Sequence, residues 1–132
     1  MRRILVTGPW QPVAVWLWVA AVIVGLSWHA GYSVSGQPVD VGPLIGGYML
    51  SVVAGCGVLA GMYRWCGGRA DVTVRQCVAV VMSGTVMVLV VSGTDRAGDV
   101  AAVWIVHVAH VSWAVWRAWT ATDWHWQTRR LR

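Results

Sequence analysis

The chain has 132 residues, of which 58% are hydrophobic and only 11% are charged, whereas a soluble domain has roughly 25% charged residues. This composition excludes an ordinary soluble domain, and the apolar spans leave too few residues for a second folded unit. The net charge of +5 comes from arginines grouped at the ends of apolar spans. We therefore expect anionic lipid headgroups, and not nucleic acid, as their partner.

Two apolar spans occupy the first half of the chain. The first, about 13–29, exceeds the apolar core of a usual signal peptide and predicts a retained transmembrane helix. The second, about 44–63, is rich in small residues that share one side of a helix and let helices approach closely in lipid. That pattern suits an oligomer interface and a contact within the chain equally well, and its members are Gly47, Ser51, Ala54 and Gly61.

Two further spans complete a predicted single domain, an all-α bundle of four transmembrane helices. The third, about 77–93, follows an arginine-rich loop over 64–76. The fourth, about 99–119, follows a connection so short that the last two spans must be antiparallel neighbours. If the N-terminus is cytoplasmic, Arg96 is the only arginine on the outer side. The positive-inside rule therefore predicts that both termini lie in the cytoplasm. We expect the protein in the cytoplasmic (inner) membrane.

The C-terminal tail, residues 123–132, alternates indoles with arginines. Indole side chains prefer the membrane interface, and arginines are attracted to anionic headgroups. We therefore predict an interfacial lipid anchor made of Trp124, Trp126, Arg129, Arg130 and Arg132.

The fourth span carries the most unusual chemistry, because two histidines lie within it. Asp99, His110 and Arg117 fall on one arc of the helix, about 80° wide, together with three apolar residues. His110 lies roughly 16 Å along the helix from Asp99, close to the membrane midplane. Ionisable groups are costly in lipid, so this arc should face protein or water. A neutral imidazole bonded to a hydroxyl such as Ser83 or Thr85 is the structural alternative.

Other site chemistries find little support in the sequence. His107 and His110 are neighbours on the helix, but Cys56 is the only candidate third ligand, so we expect no metal. Haem would need two histidines at one depth on facing helices, which a single copy lacks. The five aspartates lie at span ends or in loops, so no catalytic carboxylate pair exists and we expect no enzyme.

These patterns predict a small integral membrane protein that forms a homo-oligomeric pore or channel, holin-like or permeable to protons or cations. Its passage would be lined by the polar face of the fourth helix and by hydroxyls opposite it: Asp99, His107, His110, Arg117, Ser83 and Thr85. The alternative is a non-catalytic accessory or anchor subunit, or a phage-encoded exclusion protein, that binds a larger membrane complex.

Overall fold

The described part of the chain folds into four helices. The computed structural model describes residues 10–32, 40–94 and 96–121. Helices of 23 to 26 residues are about 35–39 Å long, more than the roughly 30 Å of a bilayer's hydrocarbon core. All four are long and apolar enough to cross a membrane, which confirms the predicted all-α architecture and suggests a multi-pass membrane protein. They are α1 (Trp10–Tyr32), α2 (Val41–Cys66), α3 (Ala70–Ser92) and α4 (Ala97–Thr120).

The helices are longer than the predicted spans, most clearly at the start of α3. The loop predicted over 64–76 is only residues 67–69, since α3 begins seven residues earlier than expected. Gly67 ends α2 in the left-handed conformation, with φ 72°, which glycine adopts without steric cost. Hydropathy marks the apolar part of a helix, whereas polar residues extend α3 beyond that part.

The start of α2 shows a similar extension. Asp40 caps the helix, its carboxylate accepting a hydrogen bond from the Gly42 backbone N–H at 3.0 Å. Pro43 then lies in the first turn, where a missing N–H costs no helical hydrogen bond. The helix therefore begins three residues before the apolar span predicted from about residue 44.

The four helices form a ring in chain order, in which each helix contacts the next and α4 returns to α1. α2 and α4 also touch across the diagonal, whereas no contact joins the described helices α1 and α3. Small residues make this short diagonal possible, because a Cβ on Gly55 would lie 2.9 Å from the Val111 side chain of α4.

The core consists of two apolar clusters separated by polar residues. One cluster, near the start of α1 and the end of α4, includes Trp16, Leu59, Val80, Val111 and Val115. The other, near the start of α4, includes Leu44, Tyr48, Val91, Val100 and Trp104. Along their helices, Ser51, Ser83 and His107 lie between members of the two clusters. We call these three residues the polar layer.

The outer surface is apolar. Large side chains such as Trp18, Leu26, Leu89 and Ile105 are 67–71% exposed. An exposed apolar surface of this kind marks contact with lipid or with other proteins. The apolar outer surface and the lengths of the helices both suit a protein that spans a membrane.

Candidate functional site

The polar layer connects three helices through one imidazole. His107 of α4 is fully buried. Its Nε2 lies 2.7 Å from Ser51 Oγ on α2, and its Nδ1 lies 3.5 Å from Ser83 Oγ on α3. His107 is about 2 Å from the midpoint of α4, measured along the helix axis. The layer thus crosses the bundle at half its height.

The hydrogen bonds of the polar layer have a defined direction. The Ser51 hydroxyl donates its single hydrogen to the Tyr48 carbonyl at 2.8 Å, so Ser51 Oγ must accept from the imidazole. His107 therefore carries its hydrogen on Nε2, and Nδ1 is left to accept from the Ser83 hydroxyl. The resulting chain runs from α3 through α4 to the α2 backbone and holds a neutral imidazole in one tautomer.

Two aromatic rings cover one side of the imidazole. Tyr48 stacks on Trp104 with ring centroids 4.1 Å apart, and their rings meet His107 edge-on at 5.5 and 6.1 Å. The Tyr48 hydroxyl and the Trp104 indole N–H are buried without a hydrogen-bond partner among the described residues. Burying such a polar group without a partner costs about 1–3 kcal/mol of folding free energy. These two groups also leave unused hydrogen-bonding capacity on this side of the polar layer.

A second set of residues, the outer arc, comprises Asp99, Val106, His110, Trp113 and Arg117 of α4, and all five are exposed. The polar side of α4 therefore does not face the interior of its own bundle, and the expectation that protein or water covers it stays a prediction. The charged residues at the two ends of the arc identified a polar side of α4. They did not show which side of α4 packs against the other helices. Burial instead follows the spacing of Val100, Trp104, His107 and Val111, a packing pattern that could have identified His107 as the interior histidine.

The hydroxyls expected opposite His110 also lie elsewhere. Ser83 approaches His107, as described above. Thr85 is exposed, and its hydroxyl donates to the Val81 carbonyl of its own helix at 2.9 Å. This bond satisfies the hydroxyl locally, so Thr85 belongs to neither the polar layer nor the outer arc.

The small residues of α2 do not act as one surface. Gly47 is buried, and a Cβ on it would collide with Ser27 of α1 and approach Trp104 to 3.1 Å. Ser51 belongs to the polar layer, whereas Ala54 and Gly61 line a groove on the surface. Gly47 and Ser51 therefore make contacts within the chain, one of the two alternatives, whereas a role of Ala54 and Gly61 between copies stays a prediction.

The predicted lipid anchor lies outside the described residues. This applies to every residue named for it: Trp124, Trp126, Arg129, Arg130 and Arg132.

The cysteines and histidines do not come together as ligands. Within residues 10–32, 40–94 and 96–121, no group of three His, Cys, Asp or Glu side chains is placed to hold a metal ion. The Cys56 thiol points to α3, where it donates to the Cys77 carbonyl at 3.9 Å. All three cysteines are free thiols.

Comparison with known proteins finds no family model, curated protein or solved structure that matches this chain. The two histidines of α4 are therefore the candidate functional side chains. The interior one is enclosed between apolar clusters and already bonded on both nitrogens, so it can connect helices but lies on no continuous polar path through the described bundle. The exposed one is available to bind a proton, a water molecule or another protein.

Proposed function

We propose that this protein is a homo-oligomeric membrane pore for protons or small cations, with the outer arc of each α4 lining the passage between copies. The observation that carries the proposal is the exposure of His110, about 2 Å from the midpoint of α4. An ionisable side chain at that depth is costly against acyl chains, so protein or water should cover it.

The interior of a single copy is a poor candidate for the passage. Above and below the polar layer the core is filled by fully buried apolar side chains, among them Trp16, Leu59 and Val100. A passage between copies avoids this obstacle. It would present Asp99 at one end, His110 at the centre and Arg117 at the other, and an imidazole can pass protons to and from water.

We also propose the orientation and the location of the assembly. Four described arginines, Arg64, Arg69, Arg75 and Arg117, belong to one end of the bundle, where α2 and α4 end and α3 begins. The positive-inside rule favours that end in the cytoplasm, with both termini there, in the cytoplasmic membrane. Anionic headgroups would be its lipid partners. No catalytic step is part of the proposal.

Proton flux into liposomes tests the proposal. We expect purified protein to carry protons, and His110→Ala to change the flux about tenfold, as removal of a proton-binding group on the path should. Val81→Ala is the matched control, because Val81 is 47% exposed and lies at the midpoint of α3. Wild-type vesicles that stay tight at every pH and voltage would refute the pore, and equal effects of both variants would refute the role of His110.

A second candidate is a non-catalytic accessory subunit or exclusion protein that binds a larger membrane complex. It is favoured by the apolar residues on either side of His110 in the outer arc, because Val106 and Trp113 are 54% and 61% exposed. An exposed tryptophan is a frequent anchor of protein contacts. A larger partner that co-purifies at fixed stoichiometry, and is lost in Trp113→Ala, would favour this function. Growth arrest with collapse of the membrane potential on expression would instead favour a holin-like pore.

A further inference from the structure

An apolar groove lies on the outer surface between α1 and α2, away from the outer arc. Its volume is about 490 Å³, within the roughly 300–1,000 Å³ typical of ligand sites. Two of its wall residues are glycines, whose missing side chains leave space beside α1. We call it the α1/α2 groove, and its walls include Pro12, Val15, Gly57, Gly61, Trp65 and Trp119.

The length of the groove matches one leaflet of a bilayer. It runs along α2 from Ala54 to Cys66, a rise of twelve residue steps or about 18 Å, and half of a bilayer's hydrocarbon core is roughly 15 Å. A transmembrane helix of another protein would continue past the midplane, where this groove ends. An acyl chain that enters from one leaflet fits both the length and the apolar walls.

The charges at the open end indicate which lipid. The groove reaches the ends of α2 and α4, and each of those last turns carries an exposed arginine, Arg64 and Arg117. Asp71, the described acid at this end, is paired with Arg69 at 3.1 Å. This end is therefore cationic, whereas the opposite end carries Asp40 and Asp99 beside Arg96.

We propose that the α1/α2 groove binds one acyl chain of an anionic phospholipid, whose phosphate lies at the arginine-bearing end of the bundle. The apolar walls exclude the headgroup from the groove, and the arginines select its charge. The walls of the groove contain no residue of the outer arc, so an acyl chain can occupy the groove whether or not the protein conducts ions.

Native mass spectrometry of the purified full chain tests the proposal, with phosphatidylglycerol and phosphatidylcholine titrated separately. We expect wild type to retain one phosphatidylglycerol about tenfold more tightly than phosphatidylcholine. Gly57→Leu should abolish that retention, because a Cβ on Gly57 meets no atom within 4 Å and the new side chain extends into the groove. Gly46→Leu is the matched control: its Cβ is equally unobstructed, and it lies on nearly the same face of α2 at the other end.

Two further variants complete the design. Val15→Trp fills the groove from α1 and gives the same test if Gly57→Leu does not fold. Arg64→Gln should weaken phosphatidylglycerol binding about fivefold and leave phosphatidylcholine unchanged, with Arg96→Gln at the opposite end as its control. Equal retention of both lipids by wild type, or full retention by the filled variants, would overturn the proposal. Loss of self-association in Gly57→Leu with unchanged lipid binding would assign the groove to a second copy and also overturn it.

Discussion

His107 and His110 lie three residues apart in the sequence but in two different environments. Both lie about equally far from the midpoint of α4, yet one is fully buried and hydrogen-bonded on both nitrogens and the other is exposed. A separation of three residues turns a side chain by 300° around the helix. The interior histidine can therefore stabilise the bundle while its neighbour faces the surroundings.

Replacing the interior histidine should destabilise the fold. We expect His107→Ala to lower the free energy of unfolding by about 2–4 kcal/mol, because it leaves a cavity and removes the group that joins Ser51 to Ser83. His110→Ala should change it by less than about 0.5 kcal/mol, as for an exposed position. Unfolding in detergent micelles with increasing dodecyl sulfate measures both.

A rescue variant separates packing from hydrogen bonding at the same position. His107→Gln offers an amide N–H to Ser51 and an amide oxygen to Ser83, so it should recover part of the stability that His107→Ala loses. His107→Leu restores volume without polar atoms. If leucine stabilises as well as glutamine, the polar layer contributes packing alone and its hydrogen bonds add nothing.

The histidines also mark the limit of what this sequence could predict about the site. Residue types and depth drew attention to the histidines in the middle of α4. The charged residues could not decide which face of α4 packs, because residues at the ends of a helix are free to face lipid headgroups or water on any side. The spacing of the apolar residues around His107 is the signal that could have decided it. The hydrogen bond between His107 and Ser51 depends on the distance between α2 and α4. That distance is set by the residues of both helices and cannot be read from the sequence of either one.

At the scale of elements, α2 is the helix on which the packing depends. Its buried side carries Gly47, Ser51 and Gly55, which bring α1 and α4 close, and a neighbouring side carries Gly57 and Gly61, which border the α1/α2 groove. The four helices could be predicted from apolar length alone. Their polar first turns could not be predicted in this way. A helix can continue beyond the hydrocarbon core, and its capping and terminal residues decide where it ends.

Adjacent glycines of α2 provide a test of this packing. Gly47→Ala should cost about 1–3 kcal/mol of unfolding free energy, because the new methyl group collides with Ser27 and crowds Trp104. Gly46→Ala meets no atom within 4 Å and should gain up to about 1 kcal/mol, since alanine favours helix over glycine. Thermal unfolding in one detergent compares the two. Equal stability of both variants would show that α2 does not pack tightly through Gly47.

At the scale of the whole molecule, the two ends of the bundle differ in charge. The end where α2 finishes and α3 begins carries most of the described arginines, and the opposite end carries Asp40, Asp99 and Arg96. This difference in charge links the orientation of the chain in the membrane to the proposed lipid site, because the α1/α2 groove opens at the arginine-bearing end. A chain inserted the other way would present the groove to the outer leaflet.

Cysteine labelling decides between the two orientations. In a variant without Cys56, Cys66 and Cys77, we expect Gly98→Cys to react with a membrane-impermeant maleimide in intact cells and Ala70→Cys only after permeabilisation. Both positions are exposed, lie in the first turn of a helix and leave the count of arginines unchanged, so the substitutions themselves do not alter the positive-inside balance. The reverse pattern would place the arginine-bearing end outside and contradict the proposed topology. Labelling of both positions in intact cells would indicate mixed insertion, and the charge asymmetry would then be too weak to orient the bundle.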